Sequence, residues 1–315
     1  MTTSGLVALH DLPAPAKLNL FLHVVGRRAD GYHLLESLFV LVDWADRLHL
    51  ERRDDGRLCR HDLGPPLPAD DLCLRAARAL QTASGSAFGA DIHVDKRLPA
   101  GAGMGGGSSD AATVLLGLNR LWGLNWSRQR LASIGLALGA DVPFFIHGHS
   151  ALVTGIGEHV VPVALPALAL AVAKPPQSIA TALIFGDVAL KRDRASVIVA
   201  GFPEDSGQGT QPEPVTRWIP GWTPGFGTND LEPGARRHEP EVAQAASWLQ
   251  SRYGNSRMTG SGSAVFAVVG RESGSPPPQA MPGGMEAAVL ADLPAGWVGR
   301  LCRSLDRHPL WGWAG

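Results

Sequence analysis

The sequence predicts an α+β protein, because segments with strand and helix periodicity follow one another without the strict rhythm of a βαβ fold. Residues 16–25 alternate like a strand, and residues 111–122 place apolar side chains at helical spacing. A chain of 315 residues is long enough for two domains. Because new strand segments begin near residue 161, we expect an N-terminal domain over 1–160 and a C-terminal domain over 161–315.

The N-terminal half is predicted to open with two strands joined by a hairpin. Asp30-Gly31 is a typical hairpin-turn pair and separates the first strand from a second strand region over 38–53. A helix is predicted over 70–84, where an aspartate stands at the start and apolar residues recur on one side. Residues 91–97 alternate again and predict another strand.

Glycines end the two helices predicted next along the chain. The helix that begins after the glycine-rich segment stops at Gly123, and a second helix over 127–138 stops at Gly139. The apolar run 160–173 contains Pro162 and Pro166 and predicts a buried strand.

The C-terminal half alternates between loops and regular segments. Residues 203–227 and 271–284 are rich in proline and glycine and predict surface loops. Between them a helix is predicted over 239–252, and residues 256–270 predict a glycine turn that leads into an apolar strand.

Composition and charge exclude several classes of protein. The formal net charge is −1, from 28 basic and 29 acidic residues, so no basic surface for nucleic acid is indicated. The three cysteines, Cys59, Cys73 and Cys302, lack the spacing of a disulfide framework or a zinc site, which favours a reducing compartment. The N-terminus lacks the basic start of a signal peptide, and the longest apolar run is too short to cross a bilayer. We therefore expect a cytoplasmic protein with no nucleic-acid or membrane partner.

The segment "LPAGAGMGGGSSDAA" at 98–112 is the most distinctive feature of the sequence. It is not a Walker A loop, because Ser108 rather than lysine follows Gly107. It matches the dinucleotide pattern GxGxxG, but residues 111–140 contain no acidic residue to hold a ribose. It also differs from the protein-kinase glycine loop, because it precedes a helix instead of lying between two strands.

What this segment offers physically is a row of backbone N–H groups at the start of a helix. Glycine leaves these groups unobstructed, and a helix N-terminus attracts phosphate through hydrogen bonds and the helix dipole. The hydroxyls of Ser108 and Ser109 could also ligate a magnesium ion that bridges phosphates. The alternative is a glycine-rich turn with a serine cap, but one cap does not require five glycines.

The glycine segment resembles the phosphate-binding signature of the GHMP kinases. Other motifs similar to those of this family stand in the expected order along the chain: "PAKLNLFLHVVGRRADGYHLLESLF", "LGADVPFF", "SIATALIF", "NDLE" and "RMTGSGSAVFA". Within the family, these motifs are most similar to those of members that phosphorylate the 2-hydroxyl of 4-diphosphocytidyl-2-C-methyl-D-erythritol in non-mevalonate isoprenoid synthesis. The resemblance covers most of the chain apart from 203–227 and 271–284.

This resemblance implies a two-domain GHMP kinase fold, with a ribosomal-S5-domain-2-like N-terminal domain, a ferredoxin-like C-terminal domain and an active site in the cleft between them. It implies ATP and Mg²⁺ as cofactors, with no tightly held metal ion. It also implies that a cytidine diphosphate-linked methylerythritol is the small-molecule substrate, and that the protein is a monomer or a weak homodimer.

Lys17 and Asp141 are the expected catalytic pair. Asp141 follows the helix-ending Gly139 and precedes Pro143, so we expect its backbone in a non-helical turn. The resemblance places this carboxylate beside the acceptor hydroxyl as the base, and an ammonium beside it would keep it ionised. Lys17 and Asn19 share the polar face of an otherwise apolar strand, which favours a cavity at that face. The alternatives are an edge lysine and a turn-forming aspartate.

The resemblance assigns a larger set of residues to the nucleotide. The glycine loop and its serines would cradle the triphosphate, and Lys96 would reach a phosphate unless it is an ordinary exposed lysine. Asp71 stands where the family usually has asparagine near the adenine; because a carboxylate lacks amide donors, it either binds the base differently or only caps its helix. The expected nucleotide-binding residues are Asp71, Leu72, Lys96, Pro99, Gly101, Gly103, Gly105, Gly106, Gly107, Ser108 and Ser109.

The resemblance also implies a cytidine site beside the hairpin turn. Tyr32 would stack on the cytosine, His33 would recognise its polar edge, and Phe185 would close the other side of the ring. Thr181 and Asn19 complete the expected substrate-binding set. The alternative for Phe185 is packing in a core.

Two other functions are compatible with parts of this pattern. A mevalonate-type kinase would share the glycine loop, but mevalonate has no base to stack on Tyr32 and His33. A non-catalytic RNA- or nucleotide-binding module would share the S5-type domain, but the near-neutral charge argues against phosphate-backbone binding. The glycine turn at Gly260 and Gly262 is expected to lie against the active site from the C-terminal domain.

Overall fold

The chain forms two sheets with helices packed against each, so the predicted α+β class is confirmed. The structure is a computed structural model and describes residues 6–196, 223, 225–269 and 290–315. Most of the predicted loop at 203–227 and all of the one at 271–284 lie outside the described residues.

The first sheet is built around a long antiparallel hairpin. β1 (Ala8–Arg27) and β2 (His33–Arg53) pair along most of their length, and the turn between them contains Asp30-Gly31, as predicted. Gly31 has φ of +93°, a conformation that favours glycine. The other strands are β3 (Leu58–Asp62), β4 (Gly89–Asp95), β5 (Ala151–Gly155) and β6 (His159–Pro162). The order is β3-β4-β2-β5-β6, with β1 paired to β2.

Four helices share one apolar core with this sheet: α1 (Leu72–Ser84), α2 (Gly106–Leu121), α3 (Arg128–Leu136) and α4 (Val142–His147). α2 is central, and most of its residues are buried. It lies so close to β2 that a Cβ on Gly117 would come within 2.4 Å of the Leu50 side chain. The packing therefore fixes where α2 begins, at the end of the glycine loop.

The second sheet is antiparallel, in the order β10-β7-β9-β8. Its strands are β7 (Ala169–Lys174), β8 (Arg257–Met258), β9 (Val265–Val268) and β10 (Val298–Arg303). The helices of this half are α5 (Thr181–Phe185), α6 (Glu232–His238) and α7 (Pro240–Tyr253). Leu249 of α7 is buried in one core with Ala171 of β7 and Val265 of β9.

The two halves of the chain are joined by a core of their own. Leu18 and Val40 of the first sheet are buried in the same cluster as Val172 and Phe266 of the second. The face of the β1–β2 hairpin that the helices leave uncovered is therefore covered by the second sheet.

The C-terminal residues return to the first half of the chain. Leu310 and Ala314 are buried in the core of the first sheet. The Arg128 guanidinium donates to the carbonyl oxygens of Trp311 at 2.6 Å and Ala314 at 2.7 Å. The segment after β10 thus packs on the N-terminal domain, although it belongs to the C-terminal half of the sequence.

The prediction of one buried strand over 160–173 was wrong. β6 ends at Pro162 and is partly exposed, residues 163–168 form no regular element, and only β7 is buried. Pro162 and Pro166 explain the break, because proline cannot donate a hydrogen bond to a neighbouring strand.

Two glycine turns from opposite halves of the chain pack backbone against backbone. A Cβ on Gly103 would come within 2.3 Å of the Thr259 carbonyl oxygen, and a Cβ on Gly260 within 2.6 Å of the Gly103 carbonyl oxygen. The backbone N–H of Ser263 donates to the Gly101 carbonyl oxygen at 3.1 Å. The glycines of this loop are therefore needed for the contact between the two domains, besides any role toward a ligand.

We predict that Gly103→Ala destabilises the protein by about 3 kcal/mol or more, because the new methyl group must displace backbone atoms. Gly123→Ala is a matched control, since Gly123 has φ of +68° against +71° for Gly103 but open space at the Cβ position. It should cost only about 1–2 kcal/mol, from backbone strain. Urea unfolding of both variants measures the difference, and equal losses would contradict the packing argument.

Candidate active site

A cavity of about 800 Å³ lies where the two halves of the chain meet. It is lined by residues from the β1–β2 hairpin, the glycine loop, the start of α4, α5 and the glycine turn at 260. The predicted residues that line it are Lys17, Asn19, Tyr32, His33, Gly103, Gly105, Ser108, Asp141, Thr181 and Phe185. Gly260 and Ser261 also line it, so the predicted approach of this turn is confirmed.

Lys17 and Asp141 form an ion pair at the wall of the cavity. The Lys17 Nζ lies 3.5 Å from Asp141 Oδ2; the lysine side chain is 4% exposed and the aspartate side chain 30% exposed. Burial lowers the pKa of Lys17, and the neighbouring Asp141 carboxylate opposes that shift. The pair therefore combines a buried ammonium with a carboxylate that is open to a ligand.

Asp141 lies in the expected turn before α4, which the Val142 N–H closes by donating to the Gly139 carbonyl oxygen at 3.1 Å, but the dihedral angles of Asp141 are not the non-helical ones expected. Its backbone is helical, with φ of −82° and ψ of −14°, and α4 begins at the next residue. Pro143 fits because the first turn of a helix needs no N–H from it. The restriction that a proline imposes falls on Val142, directly before it, and not on Asp141.

Asn19 positions Lys17 and makes hydrogen bonds through both polar atoms of its side chain. Its Oδ1 accepts hydrogen bonds from Lys17 Nζ at 2.6 Å, Thr259 Oγ1 at 3.1 Å and the Gly260 N–H at 2.9 Å. Its Nδ2 donates to Ser37 Oγ at 2.9 Å. These contacts hold Lys17 in place and use one of the two N–H groups of Nδ2. No local pattern indicates this network, because Thr259 lies 240 residues from Asn19 along the chain. The expected substrate contact of Asn19 stays a prediction.

The carbonyl oxygens of the glycine loop are engaged with protein groups. The Ser263 N–H donates to the Gly101 carbonyl oxygen, the Ala264 N–H to that of Ala102, and the Lys17 N–H to that of Met104. The N–H groups of Gly106, Gly107 and Ser108 stand in the first turn of α2, where no intrahelical acceptor exists. The loop thus turns its acceptors to the protein and keeps donors for an anionic ligand.

Two of the predicted nucleotide-binding residues, Ser109 and Asp71, have side chains that bind other groups of the protein. Ser109 is fully buried and its Oγ donates to the Pro15 carbonyl oxygen at 2.7 Å, so it does not reach the cavity. Asp71 caps α1 by accepting from the Leu74 N–H at 3.1 Å and also lies 2.8 Å from Arg60 Nη1. Of the two possibilities for Asp71, the structure supports the helix cap.

Lys96 lies in a cluster of charges beside the glycine loop, where a Cβ on Gly106 would be 3.5 Å from its Nζ. Its Nζ contacts Asp46 Oδ2 and lies 2.6 Å from Asp110 Oδ2 in the first turn of α2. The other oxygen of the buried Asp46 accepts from the N–H groups of Arg97 at 2.6 Å and Leu98 at 2.7 Å. This cluster ties the chain after β4 to the start of α2, which are the two flanks of the glycine loop.

Asp46 was not among the predicted residues, because 50 residues separate it from Lys96 and no local pattern marks it. Leu72 and Pro99, also predicted, are half-buried. The Leu72 side chain lies next to α2, since a Cβ on Gly107 would be 3.5 Å from its Cδ1.

The predicted cytidine residues gather at the other end of the cavity. The His33 and Phe185 rings are 5.0 Å apart and tilted by 34°, and Tyr32 is 61% exposed beside them. The hydroxyls of Thr181 and Ser261 are 2.8 Å apart. Arg192, which the sequence analysis did not single out, donates a hydrogen bond to His33.

In the part of the chain that the structure describes, no three histidine, cysteine or acidic side chains cluster as a metal site would require. No helix among the same residues is long and apolar enough to span a bilayer.

Comparison with known proteins identifies both halves of the chain. Residues 71–149 match the family described as GHMP kinases N terminal domain, and residues 224–277 match GHMP kinases C terminal. A 4-diphosphocytidyl-2-C-methyl-D-erythritol kinase from Methylibium petroleiphilum is 56% identical over 99% of this chain and 100% of its own length. The kinase of that name from Variovorax paradoxus is 53% identical over 98% of this chain and 99% of its own.

Solved structures agree with this relationship. The crystal structure of a 4-(cytidine 5'-diphospho)-2C-methyl-D-erythritol kinase is 32% identical, covers 94% of this chain and 99% of its own, and superposes with a TM-score of 0.69. A homoserine kinase from Cytophaga hutchinsonii, 16% identical, covers 98% of this chain and 97% of its own with a TM-score of 0.63, and shares the fold.

We predict that the charge cluster makes stability depend on pH through Asp110. Burial raises the pKa of Asp110 to about 7, and the Asp46 carboxylate acts in the same direction while Lys96 opposes it. Because an unfolded aspartate titrates near about 4, the folded chain holds a proton that the unfolded chain releases between these values. The resulting stabilisation is complete below about pH 4 and is lost as the pH rises through about 7.

Asp110→Asn removes this titration. Between about pH 5 and pH 8 the wild-type free energy of unfolding should fall relative to that of the variant, by about 2 kcal/mol. Asp70→Asn is the control, because Asp70 is an exposed residue outside the cluster. Urea unfolding at both pH values measures the change, and a difference between wild type and Asp110→Asn that stays constant would contradict the buried titration.

Proposed function

The chain belongs to the 4-diphosphocytidyl-2-C-methyl-D-erythritol kinase family of the GHMP kinases, and from this membership we infer its reaction. It is a small-molecule kinase that transfers the γ-phosphoryl group of ATP to the 2-hydroxyl of 4-diphosphocytidyl-2-C-methyl-D-erythritol, giving the 2-phosphate and ADP in non-mevalonate isoprenoid biosynthesis. The observation that carries the site assignment is the Lys17–Asp141 pair in a cavity that also contains the start of α2.

Asp141 is proposed as the base for the acceptor hydroxyl. The 2-hydroxyl proton passes to its carboxylate while the hydroxyl oxygen forms a bond to the γ-phosphorus and the bond between that phosphorus and the β–γ bridging oxygen breaks. ADP is the leaving group. The 30% exposure of the Asp141 side chain leaves its oxygens accessible for this contact.

Lys17 is proposed to hold positive charge beside the reacting oxygens. Its ammonium lies 3.5 Å from Asp141 and is fixed by Asn19 at 2.6 Å. A charge held in a buried, preorganised position stabilises developing negative charge more strongly than it would in water. The 4.5 Å distance from Lys17 Nζ to the centre of the Phe39 ring further limits its freedom.

The start of α2 is proposed as the site of the triphosphate. Gly105 and Ser108 line the cavity, and the N–H groups of Gly106, Gly107 and Ser108 supply donors at a helix N-terminus. Ser109 is not included, because its hydroxyl is bound to Pro15.

The oxygen atoms beside this cradle also suit a magnesium ion. The Ser108 hydroxyl and the Asp141 carboxylate line the same cavity, and Mg²⁺ prefers such hard oxygen ligands. When bound there with ATP, Mg²⁺ would neutralise phosphate charge during transfer.

At the opposite end, the proposed cytidine site consists of Tyr32, His33 and Phe185, with Thr181 beside them. All four line the cavity that contains Asp141, so one bound substrate can reach both ends. The exposed ring of Tyr32 and the ring pair of His33 and Phe185 offer flat surfaces for a base.

We predict that Asp141→Asn lowers kcat by about 10²–10⁴-fold while ATP still binds, because the variant keeps the shape of the side chain but cannot accept the proton. Asp292→Asn is the control, since the Asp292 side chain is 89% exposed and lies outside the cavity. Steady-state rates and ATP titration measure both effects. Unchanged kcat in Asp141→Asn would contradict the assignment of the base.

We predict that the protein phosphorylates the cytidyl substrate in preference to mevalonate. Purified protein with ATP and Mg²⁺ should form ADP together with a phosphorylated cytidyl product when given 4-diphosphocytidyl-2-C-methyl-D-erythritol, and much more slowly when given mevalonate. Coupled ADP detection and mass spectrometry of the product measure this, and faster turnover of mevalonate would overturn the proposed substrate.

A further inference from the structure

A hydrogen bond between Arg192 and His33 fixes where the histidine carries its proton. Arg192 Nε lies 2.9 Å from His33 Nε2. A guanidinium has only donors, so Nε2 must be the acceptor. In a neutral imidazole one nitrogen accepts and the other donates, so the proton of His33 is on Nδ1. Because His33 lines the cavity and Nε2 is occupied, Nδ1–H is the group that remains for a ligand.

The guanidinium of Arg192 is itself held in place. Its Nη1 donates to the Leu190 carbonyl oxygen at 3.0 Å, and its Nη2 donates to the carbonyl oxygens of Phe185 at 3.0 Å and Asp187 at 2.9 Å. With its terminal nitrogens bound to this backbone segment, Arg192 presents Nε to the histidine in one orientation. The Phe185 ring packs against the His33 ring and limits the movement of the histidine.

Burial and two nearby guanidinium groups disfavour the charged form of His33. Burial lowers the pKa of His33, and the positive charges of Arg192 on the C-terminal side and Arg27 on the hairpin lower it further. A neutral ring with an occupied Nε2 cannot exchange the roles of its two nitrogens. An imidazole without such a partner would supply either a donor or an acceptor, according to the ligand.

We propose that Arg192 is a positioning residue that makes His33 a fixed donor from Nδ1, and that this donor selects a pyrimidine with an acceptor at N3. Cytosine has an unprotonated N3, whereas uracil carries N–H at that position, where two donors would oppose each other. The inference rests on the proposed function, since it concerns the base at the cytidine end of the cavity.

The proton position is tested directly by NMR of protein labelled with ¹⁵N-histidine. In the wild type, His33 should show a protonated Nδ1 and an unprotonated Nε2. In Arg192→Met the signals should move toward Nε2 protonation or exchange between the two forms. Arg194→Met is the matched control, because Arg194 bonds to Thr228 and Asp230 instead of His33. A wild-type His33 with its proton on Nε2 would overturn the proposal.

Selection of the base is measured by titration with CDP and UDP, which needs no turnover. Arg192→Met should reduce the preference for CDP over UDP by about tenfold, the size of one hydrogen bond. His33→Phe keeps a ring but removes both nitrogens, and should reduce the preference similarly.

Adding Arg192→Met to His33→Phe should then have no further effect on the preference, because Arg192 acts through His33. If Arg192→Met lowers the preference equally in both backgrounds, Arg192 only supports the Phe185 segment and the proposal fails. A chain that shows the Nδ1 proton and the CDP preference but does not phosphorylate the cytidyl substrate would contradict the proposed function and leave this inference standing.

Discussion

The structure depends on keeping one ammonium group away from water. Lys17 is 3% exposed, and a buried charge is costly unless it is paired and hydrogen-bonded. Its partners come from different parts of the fold: Asn19 on the same strand, Phe39 on β2 and Asp141 at the start of α4. Asn19 in turn binds the turn at Gly260 from the second half of the chain. Stabilising the charge therefore requires both domains to meet at the cavity, which is also where Lys17 is proposed to act.

The glycine-rich loop satisfies a second constraint at the same place. Gly103 and Gly260 approach each other so closely that neither position has room for a side chain. The contact uses carbonyl oxygens of the loop as acceptors, including that of Gly101, which binds Ser263. The loop is thereby oriented with its acceptors in the protein interior and α2 starting at the cavity. Packing between the domains and the N–H groups proposed to bind phosphate are two results of one backbone arrangement.

Local patterns in the sequence were enough to predict the β1–β2 hairpin, α1 and α2, because each is encoded by periodicity and caps within a few residues. The resemblance supplied the Lys17–Asp141 pair, and the structure brings the two together. The sequence could not show how polar side chains are shared out between ligand and protein. Ser109 bonds to Pro15, 94 residues away, so its hydroxyl was wrongly assigned to a ligand, and Asn19 bonds to Thr259, 240 residues away, a contact that no local pattern indicates.

A common physical rule explains which residues were missed. Asp46 and Arg192 line no part of the cavity, yet each determines what a neighbour can do there. Asp46 holds the N–H groups of Arg97 and Leu98, which places the entrance of the glycine loop, and Arg192 fixes the proton of His33. Such residues act through one intermediate contact, so their effect depends on geometry that only the folded chain creates. The chemistry at each end of the cavity is therefore determined by side chains behind those that would touch the substrate.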